Sequence, residues 1–217
     1  MSEGSGRPLL VLGTRTLAVE IADLACTVAG MHVEGFVENR DRKRAGTLLE
    51  GLPVFWVEEL AHLAATHRAV CGLATTHRIR FVEQAAAFGV PFATIVHPSA
   101  TMSTKSSAGE GSILSAGVIV GARTTLGRHV LVNRGALIGH HTEIGDYVSV
   151  QPGANIAGAC RIGAQSYVGM GAVVIDHVTI GSSSVIGAGA VVTRDVPDNV
   201  QVVGVPARIG KSGIEGR

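Results

Sequence analysis

The chain has 217 residues, with 18 Lys and Arg against 17 Asp and Glu, and a net charge near +1. That balance, with no compensating Lys/Arg cluster, argues against a nucleic-acid partner. No apolar stretch is long enough to span a membrane. The length leaves room for two modest domains, and the composition divides in the same way. Trp56, most of the Phe residues and most of the charge fall in the first part, while the second is rich in Gly, Ala, Val and Ile.

The opening Met1-Ser2-Glu3-Gly4-Ser5-Gly6 is polar and lacks the apolar core of a signal peptide. Leu9 to Leu12 is expected to form a short strand ending at Gly13. Thr16 is placed to cap a helix with Leu17, Ile21, Leu24 and Val28 on one face, closed by Gly30. His32 to Val37 reads as a second strand, followed by Glu38-Asn39-Arg40-Asp41. The basic run of Arg40, Arg42, Lys43 and Arg44 reads as a solvated loop. Pro53 and Val54 begin another short strand, and Val57 to Ala65 looks helical. A strand at Ala69 to Leu73, a helix at Thr76 to Phe88 and a last strand at Phe92 to Ile95 complete the series.

This alternation predicts an α/β domain over residues 1–97, a small Rossmann-like parallel sheet with helices on both faces. Ligands of such sheets bind beyond the carboxyl ends of the strands. That rule gathers Gly13, Thr14 and Arg15 with Glu38, Asn39 and Arg40 around one candidate site. Leu12-Gly13-Thr14-Arg15-Thr16 is not a G-x-G-x-x-G fingerprint, so a dinucleotide is not expected. Arg15 beside the amides of a helix N-terminus would strengthen a site for an anion.

From Leu114 to Val192, every sixth residue is Leu, Ile or Val, fourteen positions without a break. The fifth position of each hexad is small or β-branched throughout, from Val118 and Thr124 to Ala190 and Val196, and Gly is commonest at the second. A fixed short period means stacked repeats, here a hexapeptide parallel β-helix. Three hexads close one triangular coil, so residues eighteen apart stack at roughly the 4.8 Å strand spacing. The first and fifth positions should point into a narrow interior. Gly at the second position should allow backbone angles that a Cβ would penalise.

Ile138-Gly139-His140-His141-Thr142-Glu143 places two histidines at a turn, outside that interior. A histidine there can take a proton from an attacking amine or hydroxyl near neutral pH. Asn133 and Gln151, one coil apart, replace the glycine expected at second positions and line the same region with polar groups. Cys26, Cys71 and Cys160 are odd in number and lack metal-ligand spacing, so they read as reduced, buried thiols of a cytoplasmic protein. Ile214-Glu215-Gly216-Arg217 matches a protease-cleavage linker, and residues 211–217 are expected to be a tail outside the fold.

Several landmarks extend the pattern. They are His97-Pro98-Ser99-Ala100, Val132-Asn133-Arg134-Gly135-Ala136, Ile144-Gly145-Asp146-Tyr147-Val148, Val191-Val192-Thr193-Arg194-Asp195-Val196-Pro197 and Gly204-Val205-Pro206-Ala207-Arg208. With them the chain resembles the sugar acyltransferases of the left-handed β-helix superfamily, in the subgroup of sialic-acid O-acetyltransferases and nucleotide-amino-sugar N-acetyltransferases. The resemblance implies a left-handed helix over residues 98–210 that moves an acetyl group from acetyl-CoA to an amine or hydroxyl of a nucleotide-linked sugar. It also implies a homotrimer with sites at subunit interfaces, no metal, and direct attack on the thioester without an acyl-enzyme.

Residue by residue, His140 matches the family's general base and Gly158 a backbone amide for the thioester oxygen. Asn133 matches a position near the acceptor sugar. Met170, Ala188, Pro206 and Arg208 match the coenzyme groove. Gly13, Thr14, Glu38 and Asn39 match the nucleotide-sugar site. The chain departs from the family in four places. His141 stands where a carboxylate usually follows the base, leaving Glu143 to orient it, and Ser149 stands where many relatives carry a coenzyme-contacting histidine. Gly13-Thr14-Arg15-Thr16 replaces a Gly-rich turn containing histidine, and Glu38-Asn39 replaces an acidic pair. The alternatives are an acceptor that carries no nucleotide and a non-catalytic binding or scaffold trimer. A zinc hydratase on the same helix is disfavoured, because His141 and His177 stand two coils apart, roughly 9 to 10 Å.

Overall fold

The structure, a computed structural model, describes residues 6–217; the polar opening read at residues 1–5 lies outside them. The chain forms two compact units: residues up to Ala74 with Arg78–Ile95, and Thr75–His77 with Val96–Arg217.

The first unit is built on strands β1 (Leu9–Leu12), β2 (Val33–Glu38), β3 (Leu48–Leu49), β4 (Leu52–Trp56) and β5 (Arg68–Cys71), with helices α1 (Thr16–Cys26), α2 (Leu60–Leu63) and α3 (Ile79–Ala86). The sheet order is β3-β4-β2-β1-β5, parallel except for the β3–β4 hairpin. All four residues of β1 are buried, as a continuous apolar run at the centre of a parallel sheet should be.

Four local expectations are corrected here. Helix α1 is capped by Arg15 without a side-chain bond, so Thr16 is its first residue and not its cap. Its buried face is Ala18, Ile21, Ala22, Leu24 and Ala25, with Val28 beyond the helix end. Small residues are needed because a Cβ on Gly72 would come within 2.6 Å of the Ala18 Cα, so helix and sheet approach closely. Phe92 makes only a single bridge to Ala69, and Ile95–Val96 stands at the end of the eight-stranded sheet of the repeat. Cys26, in the last turn of α1, is exposed; Cys71 and Cys160 are buried.

The second unit is the left-handed parallel β-helix. Two-residue strands made of the sixth and first hexad positions stack into six-, five- and eight-stranded sheets. Each strand pairs in parallel with the one eighteen residues away, as in Ile138↔Ile156, Val150↔Val168 and Ile162↔Ile180. All fourteen first-position side chains are at most 3% exposed, and the fifth positions are buried with them. The core is thus a narrow column filled by one aliphatic and one small side chain per hexad.

The glycines at second positions serve a different purpose from the one expected. Their φ is not positive; a Cβ on Gly139 would stand 2.5 Å from the Ala157 carbonyl carbon and the Gly158 nitrogen of the next coil. Close stacking excludes the side chain. The left-handed backbone falls at the fourth position instead, at Gly117, Arg123, His129, Gly135, His141 and their successors through Gly189. The strand Val200–Val203 pairs antiparallel with Arg208–Ser212, which closes the column. The terminal segment packs on the coils: Ile214 N donates to Asn199 O, and the Arg217 guanidinium lies 4.6 Å from the Tyr167 ring centre.

Candidate active site

In the first unit, Gly13 follows β1 with φ +113°, a conformation a side chain would strain, and its amide donates to Val37 O. Thr14 is 3% exposed, and its hydroxyl donates to Glu38. The other Glu38 oxygen accepts the amides of Asn39 and Arg40 at 2.9 and 2.8 Å, and of Asp41 at 3.3 Å. Burial alone would raise the Glu38 pKa; the Thr14 hydroxyl and these three amides outweigh it and hold the carboxyl below its usual range. Glu38 therefore organises the loop, with both oxygens occupied. Asn39 donates its side-chain amide to Gln84 at 2.7 Å. Arg15 and Arg40 are exposed beside it.

Two residues join this cluster that the sequence reading left out. Arg44, in the basic run expected to be solvated, donates from its guanidinium to Thr14 O at 2.9 Å. Gln84 reaches in from α3. Both contacts span at least thirty residues, and nothing local in the chain signals them.

On the β-helix, His140 and His141 are exposed at the corner between the six- and five-stranded sheets, with ring centres 5.1 Å apart and planes at 86°. Their Nδ1 atoms stand 3.0 Å apart, so one donates a hydrogen to the other. With that hydrogen on His140, its Nε2 is left as an acceptor. Gly158 lies one coil on, against the imidazole: a Cβ there would be 2.7 Å from His140 Cε1 and 2.9 Å from Nε2. Among the described residues no acceptor takes the Gly158 N–H. A proton acceptor and an uncommitted amide donor thus lie side by side, the pair that attack on a carbonyl needs.

The other expected residues lie away from this corner, and Asn133 and Gln151, expected beside the histidines, stand at the opposite edge of the six-stranded sheet, where it meets the eight-stranded one. Glu143 does not reach His140; it is exposed on the five-stranded sheet, 3.7 Å from the Arg161 guanidinium. Ser149 is fully buried in the eight-stranded sheet, between Leu131 and Tyr167 in register. Asn133 and Gln151 are 7% and 8% exposed; Asn133 Oδ1 accepts the Arg134 amide, and Gln151 Nε2 has no partner among the described residues. Met170 and Ala188 stack on the opposite edge of the six-stranded sheet from His140 and Gly158, with Met170 57% exposed. Pro206 and Arg208 are exposed, and Arg208 helps line a small cavity with Arg194, Asp195, Pro197 and Ala207. Arg194 was missed, yet it stands 54 residues from His140, three coils of eighteen along the same corner, so the period itself could have found it.

Among the described residues no group of three His, Cys, Asp or Glu side chains is arranged to hold a metal ion, and no helix is long and apolar enough to cross a membrane.

Residues 159–194 match the family described as bacterial transferase hexapeptide (six repeats). No protein of curated function matches the chain. Among solved structures, the chain is similar to the acetyltransferase domain of PglB from Neisseria gonorrhoeae FA1090, determined with acetyl coenzyme A. The two are 32% identical over 94% of this chain and 99% of that one, with a TM-score of 0.86. A variant of perosamine N-acetyltransferase from Caulobacter crescentus, bound to CoA and GDP-perosamine, is 29% identical over 94% and 97% of the two chains, with a TM-score of 0.88. WeeI from Acinetobacter baumannii AYE is 28% identical over 93% and 98%, with a TM-score of 0.79.

Proposed function

We propose a function from one premise: this chain belongs to the hexapeptide-repeat sugar acetyltransferases. It transfers the acetyl group of acetyl-CoA to the amine of a nucleotide-linked sugar. The observation that carries the mechanism is the His140 imidazole lying against Gly158, whose N–H is uncommitted.

The sugar amine attacks the thioester carbonyl carbon, and its proton passes to His140 Nε2. Charge develops on the carbonyl oxygen, where the Gly158 N–H donates. The carbon–sulfur bond then breaks; the sulfur leaves with the electron pair and takes the proton from the imidazolium, regenerating the base. His141 substitutes for the carboxylate of relatives: its Nδ1 accepts from His140 Nδ1 and holds the tautomer in which Nε2 is basic. Glu143, committed to Arg161, is not needed for this.

The acyl donor lies along the His140 edge, with the guanidinium groups of Arg194 and Arg208 toward the far end for its phosphates. Met170 and Ala188 complete that groove from a second copy. Two observations support a homotrimer. These residues sit on the opposite edge of the same sheet from His140, and that sheet exposes Ile119, Leu137 and Val173, 50%, 38% and 37% accessible, a column suited to burial between subunits. In the first unit, Arg15, Arg40 and the loop that Glu38 organises are the candidate site for the nucleotide; in the second, Asn133 is the candidate contact for the acceptor sugar. Three free cysteines fit a cytoplasmic location.

The test is thiol release from acetyl-CoA with a panel of nucleotide-linked amino sugars, hydroxyl-only sugars and free sugars. Turnover should require the amine and fall about two to four orders of magnitude in His140→Ala with the fold intact. A loss below tenfold removes His140 from the role, and turnover only with hydroxyl sugars removes the amine.

A further inference from the structure

One interior side chain reaches the reacting corner through the backbone. Thr142, at the fifth hexad position, is fully buried, and its hydroxyl donates to Ala157 O at 3.1 Å while accepting the Cys160 amide at 3.3 Å. Ala157 C=O and Gly158 N–H belong to one planar peptide. Fixing the carbonyl therefore fixes the direction of the N–H, and the bond polarises that peptide toward stronger donation. One coil earlier, Thr124 does the same for the peptide that carries His140, donating to Gly139 O at 2.7 Å.

The same device recurs on the edge between the five- and eight-stranded sheets, with a different outcome for the amide. Ser112 donates to Gly127 O at 2.9 Å, and the next amide, Arg128 N–H, is taken by Asp146 at 2.8 Å. Ser166 donates to Gly181 O at 2.7 Å, and Ser182 N–H is taken by Asp198 at 2.6 Å. At both turns of this one edge an aspartate consumes the aligned amide. On the His140 edge the corresponding amides of Ala122, His140 and Gly158 have no acceptor among the described residues, and of these Gly158 is the one whose position lies against the His140 ring.

We propose that Thr142 is a positioning residue for acyl transfer: its hydroxyl sets the Ala157–Gly158 peptide so that the Gly158 N–H faces the thioester oxygen. The inference rests on the acetyl transfer argued above and adds a residue that never touches substrate. Removal of a whole oxyanion donor costs about 10²–10³ in turnover; a donor that is retained but loosened should cost less, about tenfold.

The experiment measures kcat and the KM for acetyl-CoA in Thr142→Val, Thr142→Ser, Thr142→Cys and Ser166→Ala, with thermal unfolding of each. Thr142→Val should lower kcat about tenfold with KM within twofold, and Thr142→Ser should recover to within threefold of wild type. Ser166→Ala loses an equivalent interior bond and should keep its kcat. Thr142→Cys is the safeguard for folding, because Cys160 already occupies the next site of this column and donates to Ile175 O; its weaker donor should give an intermediate loss. Unchanged kcat in Thr142→Val or Thr142→Cys overturns the proposal, as does an equal loss in Ser166→Ala. If the wild type itself transfers no acetyl group, the underlying reading fails and takes this one with it. Wild-type turnover with an indifferent Thr142→Val fails this one alone.

Discussion

Gly158→Ala puts the proposed working geometry of His140 to a direct test. The added methyl would stand 2.7 Å from Cε1, 2.9 Å from Nε2 and 3.0 Å from Nδ1, whereas ordinary contact begins near 3.4 Å. The ring must therefore retreat by 3.4 − 2.7 = 0.7 Å or more at Cε1. It is free to do so, because His140 is exposed and the one described hydrogen bond of its ring is to His141, which is exposed as well. The φ of residue 158 is not in the left-handed region, so alanine adds no backbone strain. The cost to folding is that of one displaced rotamer, about 1 kcal/mol, or a few degrees in Tm. The cost to reaction is larger, since a misplacement approaching 1 Å can lower the rate by up to about 10²-fold. The expected outcome is a kcat reduced about 10- to 100-fold in a protein that melts within a few degrees of wild type. The assay is thiol release from saturating acetyl-CoA with the preferred amino sugar. A kcat within threefold of wild type would show that the ring does not work from its place against Gly158.

Gly139→Ala should behave in the opposite way: its methyl meets the backbone of Ala157 and Gly158 at 2.5 Å, which cannot swing aside. Overpacking of this kind costs about 1–3 kcal/mol, so denaturant unfolding should weaken markedly, and an unchanged midpoint would refute close stacking as the reason for glycine. The depressed Glu38 pKa contributes stability that is fully present above the unfolded-state value, about 4.3, and is lost as pH falls through the lower folded value. Glu38→Gln should therefore be less stable at pH 7 and lose less between pH 5 and pH 3; parallel stability curves for the two proteins would contradict this. Burial pushes the Cys71 thiol up to about 11 and raises that of Cys160, while Cys26 is exposed. A thiol reagent at pH 8 should modify one cysteine rapidly in the native protein and all three after denaturation, and fast labelling of a Cys26→Ser variant would be the contrary result.

The β-helix was legible because its rule is local and repeated. A side chain that must point into a narrow coil every six residues leaves a mark on every hexad, and the coil spacing then places His140 over Gly158 and Arg194 on the same edge by counting alone. The α/β strands β1, β2 and β5 were legible for a similar reason, as short apolar runs ending in turn residues. What a side chain touches outside that period was not. Glu143 is near His140 in sequence and pairs with Arg161 in space, because adjacent positions around a turn belong to different faces. His141, which stands where the family usually has a carboxylate, meets His140 through Nδ1, which depends on rotamers that no motif encodes. Arg44 and Gln84 reach the Thr14–Glu38 loop from distant elements. Thr142 looked like core filling, and only the tertiary structure showed its hydroxyl holding the peptide of Gly158. The division has one physical origin. Burial and backbone stacking act identically on every repeat and so are written into the sequence as a period, whereas a hydrogen bond depends on a direction in space that exists only once the coils are stacked.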